Sequence, residues 1–318
     1  MDLGLNRRAA ALADAMAADA SALRVHVSRL DNGARLIDCG IDAEGGLEAG
    51  RRLSEICLAG RGEVAVATAE IGPLMLPAVR VAIDDPVPAC LASQYAGWAI
   101  QRDGYFAMGS GPARCLSRAE KELFERLGYA ERSDRAVLVL EGRTPPTAAV
   151  AAHVAERCGV EPAALTCVIA PTASVAGCVQ IAARSVETAL HKLMELGFDL
   201  AKIRSGVGVC PIAPVAKNDL RGIGWTNDCI LYGARSYLTV RAGDEEIDAV
   251  ADRLPASSSA DYGTPFYDIF NRYERQFYKI DKMLFSPAEI TVNNLATGRV
   301  VRRGRVNPEV LQASLGLA

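Results

Sequence analysis

From Val175 to Leu196 the chain carries its longest helical pattern, and Gly197 stops it. Ile181, Ala182, Ala183, Val186, Ala189, Leu190 and Leu193 make this segment apolar over most of its circumference. A helix of that kind must be largely buried. The rest of the chain offers strands and helices in alternation. Helices are expected over Asn6–Leu23, Glu48–Leu58 and Thr147–Cys158, with another beginning inside Pro86–Ala99. Ser117 and Glu120 form a capping-box pattern ahead of a helix to Leu127. Strands are expected over Glu63–Thr68, Ala78–Ile83, Gly104–Ala107, Ala136–Leu140, Leu165–Ala170 and Tyr237–Val240. Asp31-Asn32-Gly33 joins Leu23–Leu30 to Ala34–Cys39 as a hairpin, and Ala296-Thr297-Gly298 makes a second hairpin near the end. Gly206-Val207-Gly208-Val209, followed by the prolines at 211 and 214, reads as an irregular loop. Hairpins at both ends exclude a purely parallel sheet. The expectation is a mixed α/β (α+β) fold of two subdomains, residues 1–130 and 131–318, with the last hairpin free to cross to the first. An echo of Ala92–Gly97 in Ala173–Gly177 is compatible with either a repeated unit or chance.

Composition narrows the function. With 318 residues, half of them hydrophobic, the chain can bury a core without staples and is not disordered. Lys+Arg 35 against Asp+Glu 38, with 6% aromatics, argues against a nucleic-acid partner. No long uncharged apolar stretch occurs, and the first residues lack the apolar core of a signal peptide, so a cytoplasmic protein with no membrane partner is expected. The nine cysteines are scattered and never form C-x-x-C, which suits small buried hydrophobes in a reducing compartment. His26, His153 and His191 are isolated, so no metal site is expected. Gly109-Ser110-Gly111-Pro112 lacks the Lys-Ser/Thr end of a phosphate loop, Gly206–Val209 lacks a third glycine, and no G-x-S-x-G elbow exists. Chemistry without metal or nucleotide is what remains.

Three segments can carry it. Gln180, Arg184, Glu187 and His191 recur at helical spacing on one face of the long helix. Spacing alone is satisfied by an Arg–Glu pair on a solvated stripe, worth about 0.2–0.5 kcal/mol, or by a polar stripe facing a cleft with Glu187 as a base held by Arg184. Met108 to Arg114 is either a turn that needs glycine or a strand end presenting backbone N–H groups to an anion, with Arg114 adding charge. Asp261 to Asp268 is a pocket rim or an anchored turn.

Taken in order, Cys90-Leu-Ala-Ser-Gln-Tyr-Ala-Gly-Trp98, Tyr105-Phe-Ala-Met-Gly-Ser-Gly-Pro-Ala-Arg114, Ala173-Ser-Val-Ala-Gly177 leading to Arg184-x-x-Glu187, Asn227-Asp228 and Tyr262-Gly-Thr-Pro-Phe266 together resemble the methenyltetrahydromethanopterin cyclohydrolase family. The likeness spans most of the chain. It implies two α/β subdomains enclosing a deep pocket, a homotrimer, and a cytoplasmic hydrolase of one-carbon metabolism in methanogens or in methylotrophic bacteria that oxidise formaldehyde. It also implies a pterin as small-molecule substrate and no cofactor besides it. Arg184 and Glu187 match the family's catalytic Arg-x-x-Glu, with Glu187 activating water and Arg184 orienting it. Ser93, Gln94, Tyr95, Gly109, Ser110, Gly111, Arg114, Glu141, Ser174, Gln180, Tyr262, Thr264 and Phe266 carry over as substrate-binding residues. Two alternatives stand beside this reading: a cyclohydrolase or deaminase acting on another pterin or folate, and a non-catalytic trimeric pterin-binding protein.

Overall fold

Ala136-Val-Leu-Val-Leu140 and Leu165-Thr-Cys-Val-Ile-Ala170 are apolar without strict alternation, the pattern of strands buried on both faces. In the computed structural model, which describes residues 3–317, they are neighbouring parallel strands within a six-stranded sheet. The strands run, in chain order, β1 (His26–Arg29), β2 (Arg35–Asp38), β3 (Glu63–Ile71), β4 (Leu74–Asp84), β5 (Trp98–Arg102), β6 (Tyr105–Ser110), β7 (Ala136–Glu141), β8 (Leu165–Ala170), β9 (Ile203–Pro211), β10 (Arg235–Val240), β11 (Glu289–Asn294) and β12 (Val300–Gly304). Two compact units result, each built on one sheet. The fold is α/β with mixed sheets, as expected.

The first unit comprises Met1–Gly62 and Pro88–Gln180. Its sheet has the order β1-β2-β8-β7-β6-β5, with β2, β8 and β7 parallel and the outer pairings antiparallel. Successive side chains of a strand point to opposite faces. Val137, Val139 and Val168 therefore pack with Leu5, Ala9, Met16, Leu53 and Ile56 of helices Leu5–Ala18 and Leu47–Cys57. Leu138, Leu140, Cys167 and Ile169 pack in a separate cluster with Val150, Ala151 and Val154 of helix Ala148–Cys158. Thr147 caps that last helix by accepting the Val150 N–H.

The second unit comprises Glu63–Val87 and Ile181–Ala318. Its order is β12-β11-β10-β9-β4-β3, with only β10 and β11 parallel. Gly206–Val209, read locally as a loop, lies inside β9 between β4 and β10. Its glycines are there for space. A Cβ at Gly206 would stand 2.6 Å from Val186 Cγ1, and one at Gly208 2.2 Å from Ser185 Oγ. Both residues belong to helix Ser185–Glu195, which lies directly on the strand backbone. Ser236 Oγ of β10 donates to Ser185 O at 2.9 Å and fixes the same contact. The registered pair Val207 and Tyr237 is exposed.

Several expectations change for tertiary reasons. The boundary near residue 130 falls inside the first unit, because β7 and β8 pair with β6 and β2 in its sheet. The hairpin of β3 and β4 belongs instead with β9 through pairs such as Val81 with Gly208. The strands expected over Glu63–Thr68 and Ala78–Ile83 run on toward each other as β3 and β4, with Gly72 in the turn at φ 58° and Pro77 part of β4. The Ser117 capping box does not form; helix Ala113–Ser117 ends there, Arg118 turns left-handed, and Lys121–Leu127 begins anew. Pro86–Ala99 contains a π-helical turn, Pro88–Gln94, ahead of β5. Since Ala173 and Ser174 precede helix Val175–Ala182, the Ala92 echo marks no repeated element.

Gly206→Ala is expected to lower stability by about 1–3 kcal/mol, the cost of overpacking a tight contact. Thermal unfolding of Gly206→Ala, Val186→Ala and the double variant checks the cause. A coupling that relieves the penalty in the double variant is expected, whereas strict additivity would locate the strain elsewhere.

Candidate active site

A helix interrupted by one tight turn changes where its polar residues sit. The pattern from Val175 is two helices, Val175–Ala182 and Ser185–Glu195, with Ala183-Arg184 between them. Arg184 has φ −91° and ψ 5°; its N–H donates to Ile181 O at 3.0 Å and its carbonyl accepts the Thr188 N–H at 2.8 Å. Gln180, Arg184, Glu187 and His191 thus do not form one continuous helical stripe. Instead Arg184 is the N-cap position of the second helix and Glu187 lies in its first turn, where the helix end favours negative charge. Arg184 is 8% and Glu187 6% exposed, so the solvated-stripe reading fails. Charges this buried are costly to keep unless they are used or paired. His191 Nε2 is 3.7 Å from Glu195 Oε1, and burial pushes its imidazole below the ordinary value.

In the first unit, Glu141 closes β7 beside the end of β8. Its carboxylate accepts from the Thr172 hydroxyl on one oxygen and from the Gln180 amide, at 3.3 Å, on the other. The structure therefore joins Glu141 and Gln180 and adds Thr172. Ser174 has a local task, accepting the Gly177 N–H at 3.0 Å and donating to Pro171 O at 2.8 Å.

Ser93, Gln94, Tyr95, Ser110, Gly111 and Arg114 also converge in this unit, but around a backbone rather than an anion. The Tyr95 N–H donates to Cys90 O at 2.7 Å, closing the π turn and leaving its last carbonyls in need of donors. Arg114 supplies them. Its Nη1 donates to Leu91 O, Ala92 O and Ser93 O at 3.2, 3.3 and 3.1 Å, and its Nε to Glu120 Oε1 at 2.7 Å. Fully buried, the guanidinium lies 5.2 Å from the Tyr95 ring and 5.5 Å from Phe124. Gly109 and Ser110 are ladder residues of β6, and the Gly111 N–H donates to Ser93 O. Gly109–Arg114, left open by the sequence between a turn that needs glycine and a strand end that meets an anion, forms a scaffold for Gln94 and Tyr95. Ser93 Oγ donates to Cys57 O at 2.6 Å.

In the second unit, Tyr262, Thr264 and Phe266 belong to a segment held by another π turn, Cys229–Gly233. The Tyr232 hydroxyl donates to Thr264 O at 2.7 Å and accepts the Gly263 N–H at 3.1 Å. Its ring lies 5.0 Å from that of Tyr262. Asp228 Oδ1 accepts the Phe266 N–H at 2.8 Å, and its other oxygen accepts from Ser314. Phe266 itself is core, stacked on Phe270. Among the described residues no group of three or more His, Cys, Asp or Glu side chains is gathered as for a metal, and no helix is long and apolar enough to cross a membrane. All nine thiols are buried.

A sequence model described as cyclohydrolase (MCH) matches residues 4–315. The chain belongs to the cyclohydrolase (MCH) family. It is 43% identical over 316 residues, 99% of both chains, to the methenyltetrahydromethanopterin cyclohydrolase of Methanococcoides burtonii. It is 46% identical over 316 residues, 98% of this chain and 97% of the other, to that of Methylobacterium sp. strain 4-46. Against that of Methanoculleus marisnigri it is 47% identical over 287 residues, 90% of each.

Within this cyclohydrolase-family chain, Thr172 and Tyr232 are contacts that sequence reading missed. Thr172 follows a strand end and a proline, a position where a hydroxyl commonly returns to a neighbour, but nothing local points it at Glu141. Asp228 was legible only as part of a motif. Its burial pushes the carboxyl up to about 7, against the hydrogen bonds from Ser314 and Phe266 that lower it. Between about pH 4 and 7 the folded chain then keeps a proton that the unfolded chain has released, so stability falls as pH rises through that window. Asp228→Asn is expected to flatten this decline, measured as melting temperature from pH 4 to 8. An unchanged slope would assign it to another group.

Proposed function

We propose that the chain hydrolyses the methenyl bridge of methenyltetrahydromethanopterin, reversibly, to the 5-formyl compound. The observation that carries the reading is the buried Arg184 and Glu187 at the start of one helix, in a chain aligned almost end to end with proteins of that name. The substrate's methenyl carbon lies between two nitrogens as an amidinium cation and is already electrophilic. Water therefore needs a base rather than a Lewis acid. Glu187 takes a proton as the water oxygen bonds to that carbon, and Arg184 orients the water against the carboxylate. The bond from carbon to the aryl nitrogen then breaks, its electron pair receiving the proton held by Glu187. The hydroxyl of the adduct loses its own proton to become the formyl oxygen on the pterin-ring nitrogen. One proton is released overall, which balances the lost positive charge. Tyr262 and Thr264, in the same unit as Arg184 and Glu187, are substrate-binding residues of this reading. The homotrimer and the cytoplasmic setting of one-carbon metabolism belong to it as well.

Glu187→Gln keeps size and most hydrogen bonds but cannot accept the proton. A loss of about 10²–10⁴-fold in kcat is expected, with little change in KM, in a spectrophotometric assay of methenyltetrahydromethanopterin hydrolysis. Near-normal kcat with a lowered melting temperature would make the residue structural.

Because the cation is its own electrophile, exhaustive chelation is expected to leave turnover unchanged in that assay. Activity lost to the chelator and restored only by zinc or iron would overturn the metal-independent mechanism.

A further inference from the structure

Hydrolysis of a methenyl cation to a neutral formyl compound must discard one proton, and a buried base discards it only through groups that reach solvent. Glu187 is such a base in the reading above, and it is buried. On an α-helix, residues four apart are neighbours on one face, with Cβ atoms about 5–6 Å apart. Within helix Ser185–Glu195, the side chains of Glu187, His191 and Glu195 keep that spacing, so three titratable groups follow one another along the helix. Their exposure rises in the same order. Glu187 is buried, the His191 side chain is 15% exposed and that of Glu195 25%. His191 Nε2 stands 3.7 Å from Glu195 Oε1, and Glu195 Oε2 stands 3.5 Å from the Nζ of Lys282, which is mostly exposed. The carboxylate therefore lies between the imidazole and an ammonium at the surface. Burial pushes the His191 imidazole below its ordinary value; Lys282 and Lys192 act in the same direction, and Glu195 against it. A neutral imidazole takes a proton on one nitrogen and gives one from the other. Lys192, another buried ionisable group of this helix, is committed elsewhere, to Ser258 Oγ at 3.0 Å and to the Met283 carbonyl.

We infer that His191 and Glu195 relay the surplus proton of hydrolysis from Glu187 to solvent. The relay rests on the base role given to Glu187 above. Once the first proton has gone to the aryl nitrogen, Glu187 takes the second from the hydroxyl of the adduct as the formyl C=O forms. The O–H bond on Glu187 then breaks toward the His191 ring. The ring, charged in passing, releases a proton from Nε2 to Glu195, and water takes that proton from the carboxylate. Both carboxylates end ionised and the ring neutral, exchange with solvent resets its tautomer, and one proton has left. In the reverse direction the same line supplies the proton.

The test follows hydrolysis of methenyltetrahydromethanopterin by wild type and His191→Gln in dilute and in concentrated imidazole buffer at one pH, with the enzyme-free rate subtracted. In dilute buffer His191→Gln is expected to lose about 10–100-fold in kcat with KM unchanged. Concentrated imidazole is expected to restore most of that loss, while wild type responds little. Structural damage does not answer to buffer, so a loss that imidazole leaves in place overturns the relay. A normal kcat of His191→Gln in dilute buffer overturns it equally. Glu195→Gln, at the exposed end of the helix, serves should His191→Gln fail to fold. Its expected fall in kcat is smaller, about 2–5-fold, and is again erased by imidazole; no fall, or one that imidazole leaves in place, overturns the relay. The relay and the base role it rests on fail in different ways. An active wild type that Glu187→Gln silences, but that His191→Gln leaves unaltered, keeps the base and removes the relay. A wild type that turns over no substrate, or one whose Glu187→Gln variant keeps a near-normal kcat, removes both.

Discussion

The second unit depends on one close approach, helix Ser185–Glu195 lying against β9 where Gly206 and Gly208 offer no side chains. That contact brings the helix start, and with it Arg184 and Glu187, against the sheet rather than one side-chain layer above it. The far end of the helix is tied as firmly. Lys192 is fully buried, its ammonium donating to Ser258 Oγ at 3.0 Å and to the Met283 carbonyl, and burial pushes its pKa down to about 8. In the proposed mechanism a carboxylate that takes one proton at one atom needs such a mount, since misplacement of an ångström is costly in rate.

Both units carry a π-helical turn just before a strand, tied by side-chain to backbone hydrogen bonds. In the first, Arg114 satisfies three carbonyls of Pro88–Gln94. In the second, Asp228 and Tyr232, at and within the turn, grip the chain from Gly263 to Phe266. Single π turns inside helices recur at functional sites because they displace side chains from regular spacing. Here they set Gln94 and Tyr95 in one unit and Tyr262 and Thr264 in the other. Arg114, whose segment the sequence left open between a glycine turn and an anion site, is a buried cation held by carbonyls, Glu120 and two aromatic faces.

What the sequence determined by itself was local or compositional. Asp31-Asn32-Gly33 forces a hairpin whatever surrounds it, Thr147 caps its helix from three residues away, and unalternating runs at β7 and β8 have to be buried on both faces. The ordered motifs were enough to indicate the family. The tertiary structure alone decided that Gly206–Val209 is a central strand. Glycine is a loop signal locally, and only the ladders to β4 and β10, with a helix pressing from above, convert it into a requirement. It decided likewise that the long apolar helix breaks at Arg184, that β3 and β4 leave the first unit, and that Glu141 meets Thr172 and Gln180. Periodicity and turn chemistry act over a few residues, whereas these outcomes are set by contacts between residues tens to more than a hundred positions apart. Their energy exists only once the chain has closed on itself.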